Sequence, residues 1–567
     1  MPAALPRLVR LAPSAAIGLL VFPVLVGLAG AALPAFGFFP ALGGHTLSLE
    51  PLRDVFAQPG IWKSIGLSAL VGLFSPLIAL VLTFVLLAAT WGTPALAAVR
   101  RLIAPLLSVP HAAAAVGLAF LIAPSGFLFR LISPELSGLT RPPDLLIIQD
   151  PLGLAMTAGL VAKEMPFILL MSLAALPALD GRRRQMVMTS IGYGRGMGFA
   201  LAVAPQLYQL IRLPVFAVIA YASSVADVAI ILGPTTPAPL SVRILDWASD
   251  PDLTSRFMAA AGALVQLALT VSALLIWFAA EKILGRLWEL FATSGIRSGR
   301  GGKGWQALAL AVPLVPMLAI AAGLALLLVW SFAGPWRFPD TLPSSWSLRA
   351  WMQMGSDGFE LAQTSMLIAL VPTLVAAILI IGCLEVEFAT GRTGGSRSLL
   401  ILYLPLLIPQ VTFLFGLQFL AIVLRADGMI VSVMMAHLVF VLPYMFLSLA
   451  DPYRRFDRRV IQVASGLGLG FWRRLFQVRL PMMIAPILTA LAIGIAVSIG
   501  QYLPTLLVGA GRVPTLTTEA VALAAGGDRR ALAVAATLQS VLPFVAFWMA
   551  LALPAFVARK RKGMQIA

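Results

Sequence analysis

The chain has 567 residues, 60% hydrophobic and 11% charged, with a mean hydropathy of +0.96 and a formal net charge of +17. Soluble proteins lie nearer half apolar and a quarter charged, so a water-soluble globule is excluded and an integral membrane protein is indicated. The positive charge then reads as the basic loops of a membrane protein rather than as a nucleic-acid footprint.

In chain order, apolar runs long enough to span a bilayer fall at 15–38, 62–90, 103–123, 151–176, 207–232, 257–284, 307–332, 359–384, 399–422, 430–450, 483–508 and 530–556. The expectation is an all-α membrane protein of about twelve transmembrane helices. The first run follows Arg7 and Arg10, but its apolar region is too long for a cleaved signal peptide. With the N-terminus placed in the cytoplasm, 27 of the 40 basic residues fall on that side, among them Arg182–Arg184, Arg454, Arg455, Arg458, Arg459 and Arg559–Lys562. The positive-inside rule therefore predicts a multi-pass protein with both termini cytoplasmic.

The chain repeats itself. PLLSVPHAAAAVGLAF (105–120) reads against PLLIPQVTFLFGLQF (405–419), and IGYGRGMGFALAVAP (191–205) against LGLGFWRRLFQVRLP (467–481). Gly192 to Pro205 and Gly468 to Pro481 are both thirteen residues apart, and Gly233 and Gly509 then match at the same offset. Two copies in the same direction and orientation make a parallel repeat of two six-helix halves, 1–285 and 307–567. Between them lies a Gly- and Arg-rich linker, 286–306, expected to be flexible.

Each half carries one long polar loop between its fourth and fifth helices, 178–206 and 451–481. In the second, residues 457–466 are helix-compatible and amphipathic, with Val460, Val463, Ala464 and Leu467 on one face. A Gly-rich turn and a second short amphipathic stretch, Phe471 to Val478, lead to Leu480-Pro481. One such loop would suit a helix lying on the headgroups; two at equivalent places favour docking elements for a two-fold partner.

These loops resemble the EAA loop of permeases from binding-protein-dependent ABC importers: Glu-Ala-Ala, three residues, Gly, nine residues, Ile, one residue, Leu-Pro. Gln462-Val463-Ala464, Gly468, Val478 and Leu480-Pro481 fit it in the second loop; Met186-Val187-Met188, Gly192, Ala202 and Ala204-Pro205 fit it in the first. The Glu of the motif is absent from both copies. The overall layout is similar to the fused permeases for thiamine and iron(III), and QYLPTLLVGAGRVPTLTTEA (501–520) is similar to an enterobacterial inner-membrane permease. The resemblance implies a permease subunit passing a small solute from periplasm to cytoplasm. It also implies ATPase docking at both loops by a separate ABC ATPase, in two copies, and a periplasmic solute-binding protein as a further partner.

No catalysis is expected of the chain itself. A phosphate-cradling loop needs G-x-x-x-x-G-K-[ST]; at the nearest approach, Gly302-Lys303, Arg297 and Gly304 occupy the first Gly and the Ser/Thr positions. ATP is then bound by the partner, and the chain has no cofactor of its own. The single cysteine, Cys383, allows no disulfide framework, and the scattered His45, His111 and His437 read as structural rather than as metal ligands.

Charges at membrane depth are costly and mark sites. Lys163-Glu164 falls within the fourth run before Pro166, and Asp227 near the outer end of the fifth; Leu503 is its repeat counterpart, beside Gln501 and Tyr502. Glu164, Asp227, Gln410, Gln501 and Tyr502 are candidates for a translocation path, the alternative being helix–helix glue. A twelve-helix secondary transporter also has two parallel halves. The loop TWGTPALAAVRR between the second and third runs lacks the Gly-x-x-x-Asp-Arg pattern that such a protein would carry there.

Overall fold

The computed structural model describes residues 5–294 and 303–558. Among them every regular element is a helix, interrupted by two isolated β-bridges, Phe39 with Gly44 and Ala333 with Trp346. Both bridges pinch the loop that follows the first span of a half. Spans 1 to 6 are Arg7–Ala35, Ile61–Thr90, His111–Ile122, Leu154–Ala175, Ala204–Ser224 and Ser255–Thr293. Spans 7 to 12 are Lys303–Ser331, Arg349–Thr390, Gln410–Val423, Ile430–Arg454, Ile484–Ile499 and Arg529–Ala558. Ten helices are long and apolar enough to cross a membrane, and two bent pairs raise that number to twelve. The chain is an all-α membrane protein, as its composition requires.

Four of the apolar runs are not single straight helices. The runs 103–123 and 399–422 break before Pro110 and Pro409; the second bends by 81° between Arg397–Leu407 and Gln410–Val423. Proline offers no N–H and disfavours helical geometry for the residue before it, and Val109 and Ile408 are extended at these breaks. The runs 207–232 and 483–508 break at Val225-Ala226 and at Gly500 to Tyr502, each followed by a six-residue helix, Asp227–Leu232 and Leu503–Val508. Irregular backbone at membrane depth persists only where protein or a wet cavity satisfies it, so these breaks mark where a site can form.

The linker is shorter than expected. Span 6 continues as helix to Thr293, so 286–293 are not flexible coil; residues 295–302 lie outside the described residues.

The two halves exchange their first spans. Ala12, Ala16 and Leu20 of span 1 share a core with Ile380 and Leu384 of span 8 and Val441 and Met445 of span 10. Met317, Ile320 and Leu327 of span 7 join the core of spans 2 to 5. Glycine permits both crossings. A side chain at Gly30 would meet the Gly416 carbonyl at 2.6 Å, and one at Gly323 would meet the Gly117 backbone at 2.7 Å. Gly117 and Gly416 are repeat equivalents, so each half is clasped by the other's first helix through the same small-residue contact.

Candidate functional site

The two polar loops fold alike. The first is a helix Gly181–Ser190, a turn and a helix Arg195–Ala202; the second opens with a helix Arg458–Gly466, capped by the Asp457 carboxylate accepting from the Arg459 N–H at 2.9 Å. Ser, Thr, Asp or Asn at that position supplies a partner that the first helical turn lacks. Both helices end in one hydrogen-bond pattern. The Gly192 N–H donates to Thr189 (3.1 Å) and the Tyr193 N–H to Met188 (3.0 Å); the Gly468 N–H donates to Ser465 (3.0 Å) and the Leu469 N–H to Ala464 (3.2 Å). This closure needs a left-handed residue, and Gly192 and Gly468 stand at φ +89° and +79°. Pro205 sits in the first turn of span 5, where its missing N–H costs nothing; Pro481 lies near the end of the helical stretch Phe471–Met482, ahead of the 79° bend to Ile484–Ile499.

Apolar side chains point away from the protein on both loops. Met186, Val187, Val463 and Leu467 are 61%, 54%, 65% and 76% exposed, and Gln462 is exposed beside them. Ala464 is buried beneath its helix, and Met188 packs against Gly198. The amphipathic face read from the sequence is thus split: Ala464 seats the helix while Val463 and Leu467 are free of it. Each loop is held by the C-terminal end of the second span of its half. Phe199 packs on Trp91 (ring centroids 5.7 Å) and Phe84 (6.3 Å). In the second half the contact is ionic: Arg454 holds Glu387 at 2.9 Å, and Arg479 pairs with Glu385.

The second group of polar residues lies between the halves. Lys163 and Glu164, adjacent on span 4, turn to different partners. The Lys163 ammonium donates to the Leu106 and Leu107 carbonyls at 3.0 and 3.1 Å, at the C-terminal end of helix Ala95–Ser108 where a cation is favoured. Glu164 meets His111 Nε2 at 3.2 Å. The His111 ring lies 4.8 Å from that of Tyr221, and Tyr221 and Asp227 lie within electrostatic reach of each other. From the second half, Tyr444 lies within electrostatic reach of Glu164, and Tyr502 of Asp227. Asp227 does not sit in the fifth span as expected; it is the first residue of the short helix after the break. Tyr502 flanks the equivalent break, while the buried Gln501 accepts a bond from the Thr505 hydroxyl through its carbonyl. Gln410 opens span 9 at the position that His111 takes in span 3, after the same proline.

The structure therefore brings Glu164, Asp227 and Tyr502 together, and adds His111, Tyr221 and Tyr444, which the sequence reading did not select. His111 was legible as the counterpart of Gln410 after Pro110. Tyr221 is one turn before the break that carries Asp227. Glu385 and Arg479, far apart in sequence, had no such signal. His437 is structural, as expected: it bonds the Ser498 and Thr505 hydroxyls at 2.7 and 2.9 Å.

Comparison with known proteins fits this architecture. Over 521 residues, 92% of this chain and 93% of the relative, the sequence is 30% identical to the inner membrane ABC transporter permease protein YnjC of Escherichia coli K12. The chain belongs to the ABC transporter permeases. A second relative, the putative 2-aminoethylphosphonate transport system permease protein PhnV of Salmonella typhimurium, is 31% identical over 145 residues; these make up 25% of this chain and 54% of that protein. No family model and no solved structure matches the chain.

Proposed function

We propose that this permease is the translocation subunit of an importer in the bacterial inner membrane, with both termini cytoplasmic. Two copies of a separate ABC ATPase dock on the loops 178–206 and 451–481. A periplasmic binding protein delivers a small solute, which passes between the halves into the cytoplasm. ATP binding draws the two ATPase subunits together, and their closure rocks the halves between inward- and outward-open states. The chain itself performs no hydrolysis.

The observation that carries this reading is the duplicated loop. Two helix–turn elements with the same Gly-centred closure present exposed apolar side chains at repeat-equivalent positions. A single exposed apolar helix is common in a membrane protein; a matched pair fits a partner that itself has two-fold symmetry. The absent motif glutamate is offset by this apolar surface, with Met186, Val187, Val463 and Leu467 taking the contact.

Capture of the ATPase by the detergent-solubilised permease, read as ATP hydrolysis in the eluate, tests the docking role. Nothing lies within 4 Å of a Cβ built at Gly468, so Gly468→Val acts only through the backbone. A β-branched residue at that φ costs about 1–2 kcal/mol and reopens the turn. Gly468→Val and Gly192→Val should leave the permease in the membrane and abolish capture. Normal capture by the double variant sinks the docking assignment.

The cluster His111, Glu164, Tyr221, Asp227, Tyr444 and Tyr502 supports a polar path between the halves. Its carboxylates face aromatic rings, an environment suited to a cationic solute.

A further inference from the structure

The second docking loop is fastened to the membrane domain differently from the first. Its final segment, Arg474–Arg479, is a π-helical turn, which accommodates an extra residue and re-aims the side chains beyond it. Arg479, the last residue of that turn, is directed inward and is 2% exposed. Its guanidinium pairs with Glu385, and the Tyr453 hydroxyl donates to the same carboxylate oxygen. The Phe388 ring stacks 3.7 Å from the guanidinium carbon, and Tyr453 and Phe456 flank it at 5.4 Å each. In the first half the residue at the equivalent offset is Val203, and there Phe199 packs on Trp91 and Phe84.

A buried ion pair adds little stability over apolar residues of the same volume, yet it admits only one geometry. Glu385 belongs to span 8, the long helix Arg349–Thr390, which packs along spans 10 and 11. Farther along that helix the Ile368 carbonyl accepts a hydrogen bond from Ser498 at 3.2 Å, next to the break at Gly500 to Tyr502. A continuous line therefore runs from loop to path: Arg479, Glu385, span 8, Ile368, Ser498, Tyr502.

We propose that Glu385, Tyr453 and Arg479 are positioning residues that pass the movement of the second docking loop through span 8 to the path. This rests on the docking role of the loop. Arg479 and Glu385 are buried and do not reach the ATPase surface themselves.

The test uses the full chain with its captured ATPase. Cys383 is replaced by serine, and a cysteine is placed at Gln501 beside the break. Its maleimide labelling rate is measured with and without ATP and vanadate. The parent should show a nucleotide-dependent change. In Glu385→Gln, and in the double variant E385L/R479M, which removes both charges together, that change should shrink about ten-fold while ATPase capture and hydrolysis persist. An undiminished response in the double variant overturns the proposal. So does loss of capture, or loss of the protein from the membrane, in both variants, because the pair would then serve docking or folding only. The docking role is judged separately, by capture in the Gly468→Val and Gly192→Val variants.

Discussion

Asp227 is a buried carboxylate at a helix break, and the nearest turn on its own element offers it no cation: positions 223, 224, 230 and 231 are Ser, Ser, Ile and Ile. Placing such a charge at membrane depth costs about 3 kcal/mol on the insertion scale, so it must be matched by something other than lipid. His111 and Tyr221 lie within electrostatic reach of it, and the repeat counterpart Leu503 carries no charge, which leaves the cluster asymmetric. A cationic solute would complete the balance. Asp227→Asn retains size and hydrogen bonding but removes the charge. Uptake of the solute delivered by the cognate binding protein should fall about ten-fold, with membrane level and ATPase capture unchanged. Normal uptake in that variant, or failure to assemble, would make Asp227 structural. The sequence exposed this residue because a lone acid in an apolar run is conspicuous. It hid Tyr221 and Tyr444, because a tyrosine in such a run is unremarkable until the fold sets it beside a carboxylate.

The helices and turns divide in the same way between what pattern reveals and what contact reveals. The Gly192–Pro205 and Gly468–Pro481 spacings pick out both loops proposed for docking, since a left-handed closure and a proline are written in single residues. The breaks at Pro110 and Pro409 were equally written, but hydropathy alone merged each broken pair into one run. Span 3, at twelve residues, and span 9, at fourteen, cover only about 18–21 Å at 1.5 Å per residue. Neither crosses a hydrocarbon core of about 30 Å alone, so helix Arg397–Leu407 and the short helix Phe127–Ile132 must complete the passage. Glu385 and Arg479 are of the opposite kind: 94 positions apart, they become a pair only because loop and span are packed together. Both elements proposed for docking are short, which suits parts that move as units rather than bending internally.

At the scale of the whole molecule the parallel repeat fixes orientation and assembly together. Because both loops are equivalent, they share one side, and on the proposed orientation 27 basic residues lie on that side, the cytoplasm. Reporter fusions after Gly301 and after Gly563 should both report cytoplasm; a periplasmic signal at either would overturn the topology. The exchange of spans 1 and 7 was invisible in sequence, because helical periodicity says which face is apolar but not which half covers it. It has a consequence for assembly. The covalent link between the halves is redundant, since each half is already clasped by the other's first helix. Two fragments divided within 295–302 and expressed together should co-purify as one complex. The clasp rests on backbone contact: a side chain at Gly416 would meet the Ala31 N–H at 2.6 Å and the Gly27 carbonyl closer still, and both atoms belong to a helix that cannot step aside. Such overpacking costs about 1–3 kcal/mol, and here it falls on a crossing that has no hydrophobic driving force to offset it. Gly416→Leu should therefore separate the co-expressed fragments in detergent. Gly18→Leu, with nothing within 4 Å of its Cβ, should leave them together. Fragments that stay together with leucine at both Gly416 and Gly117 would mean that the halves are held by other contacts and that the exchanged helices are incidental.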